Sequence, residues 1–392
     1  MKSLFDHTLS RKNTASVKWD GLQNRFHVDE ALPMWVADMD FAAPHAVLDA
    51  MQERVQHGVF GYTLRTDSFH EAIKMWMADR HHFPIETSWI AHAPGIVPGT
   101  GFLIEALTNP GDKVVIQPPV YHPFERIIRG FDREVLRAPL SFDGKRYQMD
   151  LNALEDQFKA GAKAWILCSP HNPVGRVWTE EELRAAGELA LKYHVTVISD
   201  EIHNDLVYQQ YRHHPFASLD ERFKEITVTA IAPSKTFNLA GLQTAAMIIP
   251  NSEMLKKYRK VLQKYSMEGA NTFGVIALEA AYRHGKEWLD ELLDYLKGNL
   301  ATLQQLLKEK MPQIKVILPE GTYLAWLDCR EMGLNKEEMD HFFLQEAGVA
   351  MDEGHIFGEE GLGFMRMNLA CPRAYIEDAV KRIASAWQLR GK

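Results

Sequence analysis

The 392-residue chain is long enough for one large domain with its own core plus a smaller one, and its three cysteines, far apart in sequence, form no disulfide framework and no paired zinc or redox spacing. A formal net charge of −8 argues against a chain that depends on phosphate-backbone contacts, so nucleic acid is not an expected partner. The start, MKSLFDHTLS, has no apolar leader core, and no stretch approaches the roughly 18 apolar residues of a membrane span, so a soluble cytoplasmic protein without a membrane partner is expected.

In chain order, an amphipathic helix is predicted from Pro44 to His57, stopped by Gly58, and a second after Gly101. The turn NPGD introduces a short strand, KVVIQ. AWILCS at 164–169 reads as a strand, Thr179 and Glu182 as a capping box that opens a helix, and VTVIS at 195–199 as a further strand. Two more apolar runs follow, ITVTAIA at 226–232 and TAAMIIP at 244–250. Short apolar runs alternating with helical patterns predict a mostly parallel sheet covered on both faces. From Leu289 the pattern changes to a long amphipathic helix, a strand pair around KVILPEGTYLAWLDC and a final helix from Tyr375 to Leu389. The expected division is therefore a large domain over 46–288 and a small α+β domain from 1–45 with 289–392. The histidine pairs His81-His82 and His213-His214 fall in polar, loop-like stretches, and without an HExxH motif no metal site is expected.

Ligands of an open parallel sheet sit beyond the carboxyl ends of its strands. Three polar motifs fall at such ends here: Pro170-His171-Asn172-Pro173-Val174-Gly175, Asp200-Glu201-Ile202-His203 and Pro233-Ser234-Lys235-Thr236. Each alone reads equally as a turn, a solvated strand end or a surface lysine. Together they deliver an amide, a carboxylate and an amine to one sheet edge. That set suits pyridoxal phosphate (PLP): a lysine forms the imine, a carboxylate keeps the pyridine nitrogen protonated, and an amide holds the phenolate oxygen. Pro98-Gly99-Thr100-Gly101, before the run FLIEAL, has the form of a helix start that offers N–H groups to the phosphate, although a plain loop reads the same way.

These motifs resemble, in order and over nearly the whole chain, the fold-type-I PLP enzymes of the aspartate aminotransferase superfamily. The resemblance implies an α/β large domain with a mostly parallel seven-stranded sheet plus a smaller α+β domain. It implies Lys235 as the Schiff-base lysine, Asp200 as partner of the pyridine nitrogen, Asn172 near the phenolate oxygen, and Gly99, Thr100 and Ser234 at the phosphate. Tyr121 matches the residue that stacks on the ring, and Tyr62 a tyrosine that reaches the phosphate from the neighbouring subunit, which implies a homodimer. Arg366 matches the arginine that grips the substrate's α-carboxylate, a task for a planar fork, with an ion pair inside the small lobe as the other reading.

Two departures narrow the branch. Gln243 stands where many members have a phosphate-binding arginine, and His203 where many have a tyrosine. With the segment PMWVADMDF at 33–41, both changes resemble the MalY/PatB branch of cystathionine β-lyases and cysteine-S-conjugate β-lyases. The implied reaction is α,β-elimination from a sulfur amino acid, giving a thiol, pyruvate and ammonia. Lysine, aspartate and arginine serve transamination equally, so an aminotransferase is the alternative, and a regulatory protein-binding role is a third reading. Trp35 and Ala37 either line the substrate pocket or belong to a segment that fastens the N-terminus.

Overall fold

The alternating apolar runs become a seven-stranded sheet in the computed structural model, which describes residues 3–391. Its strands are β1 (Ile90–Ala93), β2 (Lys113–Ile116), β3 (Glu134–Arg137), β4 (Ala162–Cys168), β5 (Thr196–Asp200), β6 (Thr227–Ile231) and β7 (Ala245–Ile248). The order across the sheet is β1-β7-β6-β5-β4-β2-β3, and only β7 runs against its neighbours. The central strands are apolar on both faces because both are covered. One face packs under helices Ile96–Leu107 and Ser252–Lys264, the other under Leu151–Lys159 and Glu180–Tyr193. The predicted caps form: Gly58 ends helix His45–His57 at φ 75°, and Thr179 and Glu182 close a capping box on Glu180–Tyr193.

After the sheet, helix Lys286–Lys310 begins inside the span expected for the large domain and leads to a four-stranded antiparallel sheet. Its strands are β8 (Lys315–Ile317), β9 (Leu324–Asp328), β10 (Asp352–Glu353) and β11 (Phe364–Asn368), in the order β8-β9-β11-β10. Helix Arg373–Leu389 packs against Lys286–Lys310 and closes the chain. One hydrophobic cluster runs from this lobe through Trp288 and Tyr295 to Phe5 and Phe41 at the N-terminus, so the lobes share buried surface.

The N-terminal segment joins the C-terminal lobe by backbone as well as side chains. Leu32–Pro33 lies parallel to Val349–Ala350, and Asp40 N–H donates to Ala370 O at 2.9 Å. Asp40, itself buried, then gathers three donors: Arg11 Nη1 at 2.8 Å, Lys18 Nζ at 2.6 Å and Trp19 Nε1 at 2.8 Å. Lys18 is completely buried, which only a carboxylate partner makes tolerable. Asp40→Ala leaves that ammonium only Asp38 Oδ1, at 4.0 Å, and the expected loss is about 3 kcal/mol, read as a lower urea midpoint at unchanged slope.

Candidate active site

A cavity of about 350 Å³ opens where β4, β5 and β6 end, roofed by the C-terminal lobe. Asn172, Asp200, His203 and Lys235 reach it from the sheet, Arg366 and Asp352 from β11 and β10, and Trp35, Val36 and Ala37 from the N-terminal segment. The turn that carries Asn172 is fixed by Gly175, whose φ of 71° suits glycine and where a Cβ would stand 2.6 Å from Pro319 Cβ. Glu320 N–H donates to Gly175 O at 2.7 Å, locking this turn to the C-terminal lobe.

Lys235 rises from the short helical turn Pro233–Thr236, which follows β6 directly. Its Nζ donates to Ala37 O at 2.6 Å, and Tyr323 Oη donates to the same carbonyl at 2.8 Å. Burial lowers the lysine pKa from 10.5 to about 8, the Arg366 charge adds to the shift, and Asp38 and Asp200 oppose it. An amine so placed is a nucleophile and a base near neutral pH. Behind it, Thr236 Oγ1 donates to buried Asp205 Oδ2 at 2.7 Å, which holds the turn in register.

The other polar groups have room for a cofactor. Asp200 is buried, its side chain accepts among the described residues only Ile202 N–H at 3.1 Å on Oδ1, and burial pushes its pKa up to about 7, partly offset by that hydrogen bond and by Lys235. A protonated ring nitrogen in contact supplies the missing counter-charge. Asn172 Oδ1 accepts from Arg366 Nη1 at 2.9 Å, while its amide nitrogen meets no partner among the described residues. Buried His203 is held neutral, its pKa well below the ordinary value through burial and the charges of Lys235 and Arg366, and its Nδ1 is unpartnered. Two unused donors and one uncompensated carboxylate fit the phenolate oxygen and pyridinium of PLP. Tyr121 lines the same cavity, its hydroxyl pKa raised by burial and by Asp200.

The helix start differs from the expectation. Helix Ile96–Leu107 starts six residues before the predicted Phe102, so Gly99 and Thr100 lie within it, buried, and outside the cavity lining. A Cβ on Gly99 would stand 2.1 Å from Met247 Cε and 2.8 Å from Ala93 Cβ, so this glycine serves the close approach of helix and sheet. Gly95 to Pro98 line the cavity instead, and the first-turn N–H groups of Ile96 and Val97 have no acceptor within the helix. Ser234 and Gln243 lie on the same wall. Tyr62 does not reach the cavity of its own chain and stands fully exposed.

Residues 32–383 match the family described as aminotransferase class I and II. The chain belongs to that family. Within it the chain is 43% identical over 383 residues to cystathionine beta-lyase PatB of Bacillus subtilis (strain 168), covering 97% of this chain and 99% of that one. It is 34% identical over 387 residues to protein MalY of Escherichia coli (strain K12), covering 97% and 98%. Among solved structures, cystalysin from Treponema denticola, which contains a pyridoxal 5'-phosphate cofactor, aligns at 36% identity with a TM-score of 0.95 over 98% of this chain and 99% of its own. The PLP-bound C-S lyase from Staphylococcus hominis aligns at 32% identity and a TM-score of 0.92, over 98% of each chain.

This PatB/MalY-branch member also holds site groups that its motifs did not announce. Asp352 meets Arg366 only because β10 and β11 are paired. One histidine of each pair is buried: His81 Nε2 bonds Asp205 Oδ1 at 2.8 Å, His213 Nε2 bonds Glu201 Oε2 at 2.8 Å, and their rings meet edge to face, whereas His82 is exposed. Among the described residues no cluster of His, Cys, Asp and Glu is placed to hold a metal ion. The lowered lysine pKa has a direct kinetic consequence. Since the neutral amine attacks the cofactor aldehyde, PLP uptake by cofactor-free protein should rise with pH to half its plateau near pH 8, not near 10.5, in stopped-flow absorbance.

Proposed function

We propose that this chain is a PLP-dependent carbon–sulfur β-lyase that cleaves cystathionine or a related cysteine S-conjugate to a thiol, pyruvate and ammonia. The observation that carries it is the full-length 43% identity to a cystathionine beta-lyase in a chain whose cavity unites Lys235, Asp200 and Arg366. When bound, PLP supplies an electron sink for the pair left by the α-proton. Lys235 would hold the cofactor through its amine and, once freed by the substrate amine, would be the base for the α-proton. Asp200 would keep the pyridine nitrogen protonated. Asn172 and His203 would donate to the phenolate oxygen, and Tyr121 would pack on the ring. The N–H groups of Ile96 and Val97, with Ser234, hold the phosphate in place of the absent arginine at Gln243. Arg366 fixes the α-carboxylate, and Trp35 and Ala37 wall the side-chain end.

Purified holoenzyme given cystathionine and no keto acid should release thiol and pyruvate, and Lys235→Ala should reduce both to background. Turnover that appears only with an added keto acid would overturn the lyase in favour of an aminotransferase.

We further propose a homodimer in the cytoplasm with shared active sites. Residues 58–66 form an extended arm on which Val59, Phe60, Tyr62 and Leu64 are all exposed, an apolar surface that favours burial by a second copy. Arg65 ties the arm to the loop at 268–269, donating to Glu268 O at 3.0 Å and Gly269 O at 2.7 Å. Sedimentation should give twice the chain mass, and Tyr62→Phe should weaken PLP binding roughly tenfold, the scale of one hydrogen bond to a charged group.

A further inference from the structure

Arg366 already holds a carboxylate. Asp352 stands directly opposite it in the antiparallel register of β10 and β11, and both side chains are buried at the cavity wall. A guanidinium offers a carboxylate two paired edges, one made of both Nη groups and one of Nε with Nη2. Arg330 shows the second edge fully used, with Nε and Nη2 donating to the two oxygens of Asp328 at 2.9 and 2.7 Å. Arg366 uses half of it. Its Nη2 meets Asp352 Oδ2 and, at 3.1 Å, Trp35 O, its Nη1 meets Asn172 Oδ1, and its buried Nε has no hydrogen-bond partner among the described residues. Asp352 therefore neutralises the arginine through one point of contact and leaves Nε, shielded from solvent beside it, unsatisfied, which a carboxylate that takes the place of Asp352 corrects by pairing with Nε and Nη2 together.

We propose that Asp352 is a built-in competitor for the substrate's carboxylate, occupying Arg366 between turnovers and setting how tightly the site holds any carboxylate. The proposal rests on the reading that Arg366 receives the α-carboxylate, and it holds for elimination and transamination alike. A substrate anchored also through its amine displaces Asp352. A keto acid held by Arg366 alone does not compete as well, so Asp352 clears such a product from the cavity.

The test needs no turnover. Holoenzyme, Asp352→Asn and Asp352→Ser are titrated calorimetrically with propionate, which has a carboxylate and no amine to react. Both variants should bind it roughly tenfold more tightly than the parent, a change of about 1.4 kcal/mol. Arg366→Lys added to Asp352→Asn should abolish the gain, placing it at the guanidinium. Unchanged or weaker propionate binding in either folded variant overturns the proposal and makes Asp352 an orienting partner of Arg366. If neither variant melts cooperatively, Asp352 is a structural pillar and the proposal also falls. Failure of cystathionine cleavage would leave these affinities untouched, so the two readings fail separately.

Discussion

Burial at the carboxyl edge of the sheet shifts the proton affinities of Lys235, Asp200 and His203. Burial moves the Lys235 amine down from 10.5 to about 8 and the Asp200 carboxyl up from 3.8 to about 7, so two groups far apart in water approach each other in proton affinity. His203 is driven neutral by the same desolvation and by the nearby cations. The cavity without a ligand is thus electrostatically unfinished, with a carboxylate in want of a cation and donors in want of an acceptor. A ring bearing a protonated nitrogen and a phenolate oxygen satisfies both.

The enclosure depends on the N-terminal segment, which fastens and lines at once. Trp35, Val36 and Ala37 face the cavity, whereas Asp38 and Asp40 beside them bind Arg11 and Lys18. Its carbonyls are held from outside: Asn368 Nδ2 donates to Val36 O and Asp38 O, and Asn238 Nδ2 to Met39 O and Phe41 O. At Ala37 O, Lys235 and Tyr323 meet. A segment with no long element of its own is immobilised carbonyl by carbonyl.

Much of this was legible in the sequence, for a physical reason. In a parallel sheet, polar residues that follow successive strands emerge on one edge, so Asn172, Asp200 and Lys235 announced a shared cavity before any coordinates. The sheet itself was legible from its doubly apolar runs. Groups that depend on packing between distant elements were not. Gly99-Thr100-Gly101 read as a helix start that offers N–H groups to the phosphate, or as a plain loop, but its glycines admit Met247 and Phe131 to a helix already under way. Asp352 lies fourteen residues before Arg366, and only the pairing of two short strands makes them neighbours. The buried states of His81 and His213 follow from carboxylates at positions 205 and 201, which no local pattern reveals.

The parallel pairing of Leu32–Pro33 with Val349–Ala350 has a consequence for synthesis. As the chain emerges, the first forty residues find neither their strand partner nor the acceptor at Ala370 until the last fifty have been made. The seven-stranded sheet is complete by Ile248 and can gather its apolar faces while translation continues. The segment that carries Ala37 must wait. Lys235 is therefore finished early and enclosed late, and the ribosome delivers an open catalytic edge before it delivers the roof.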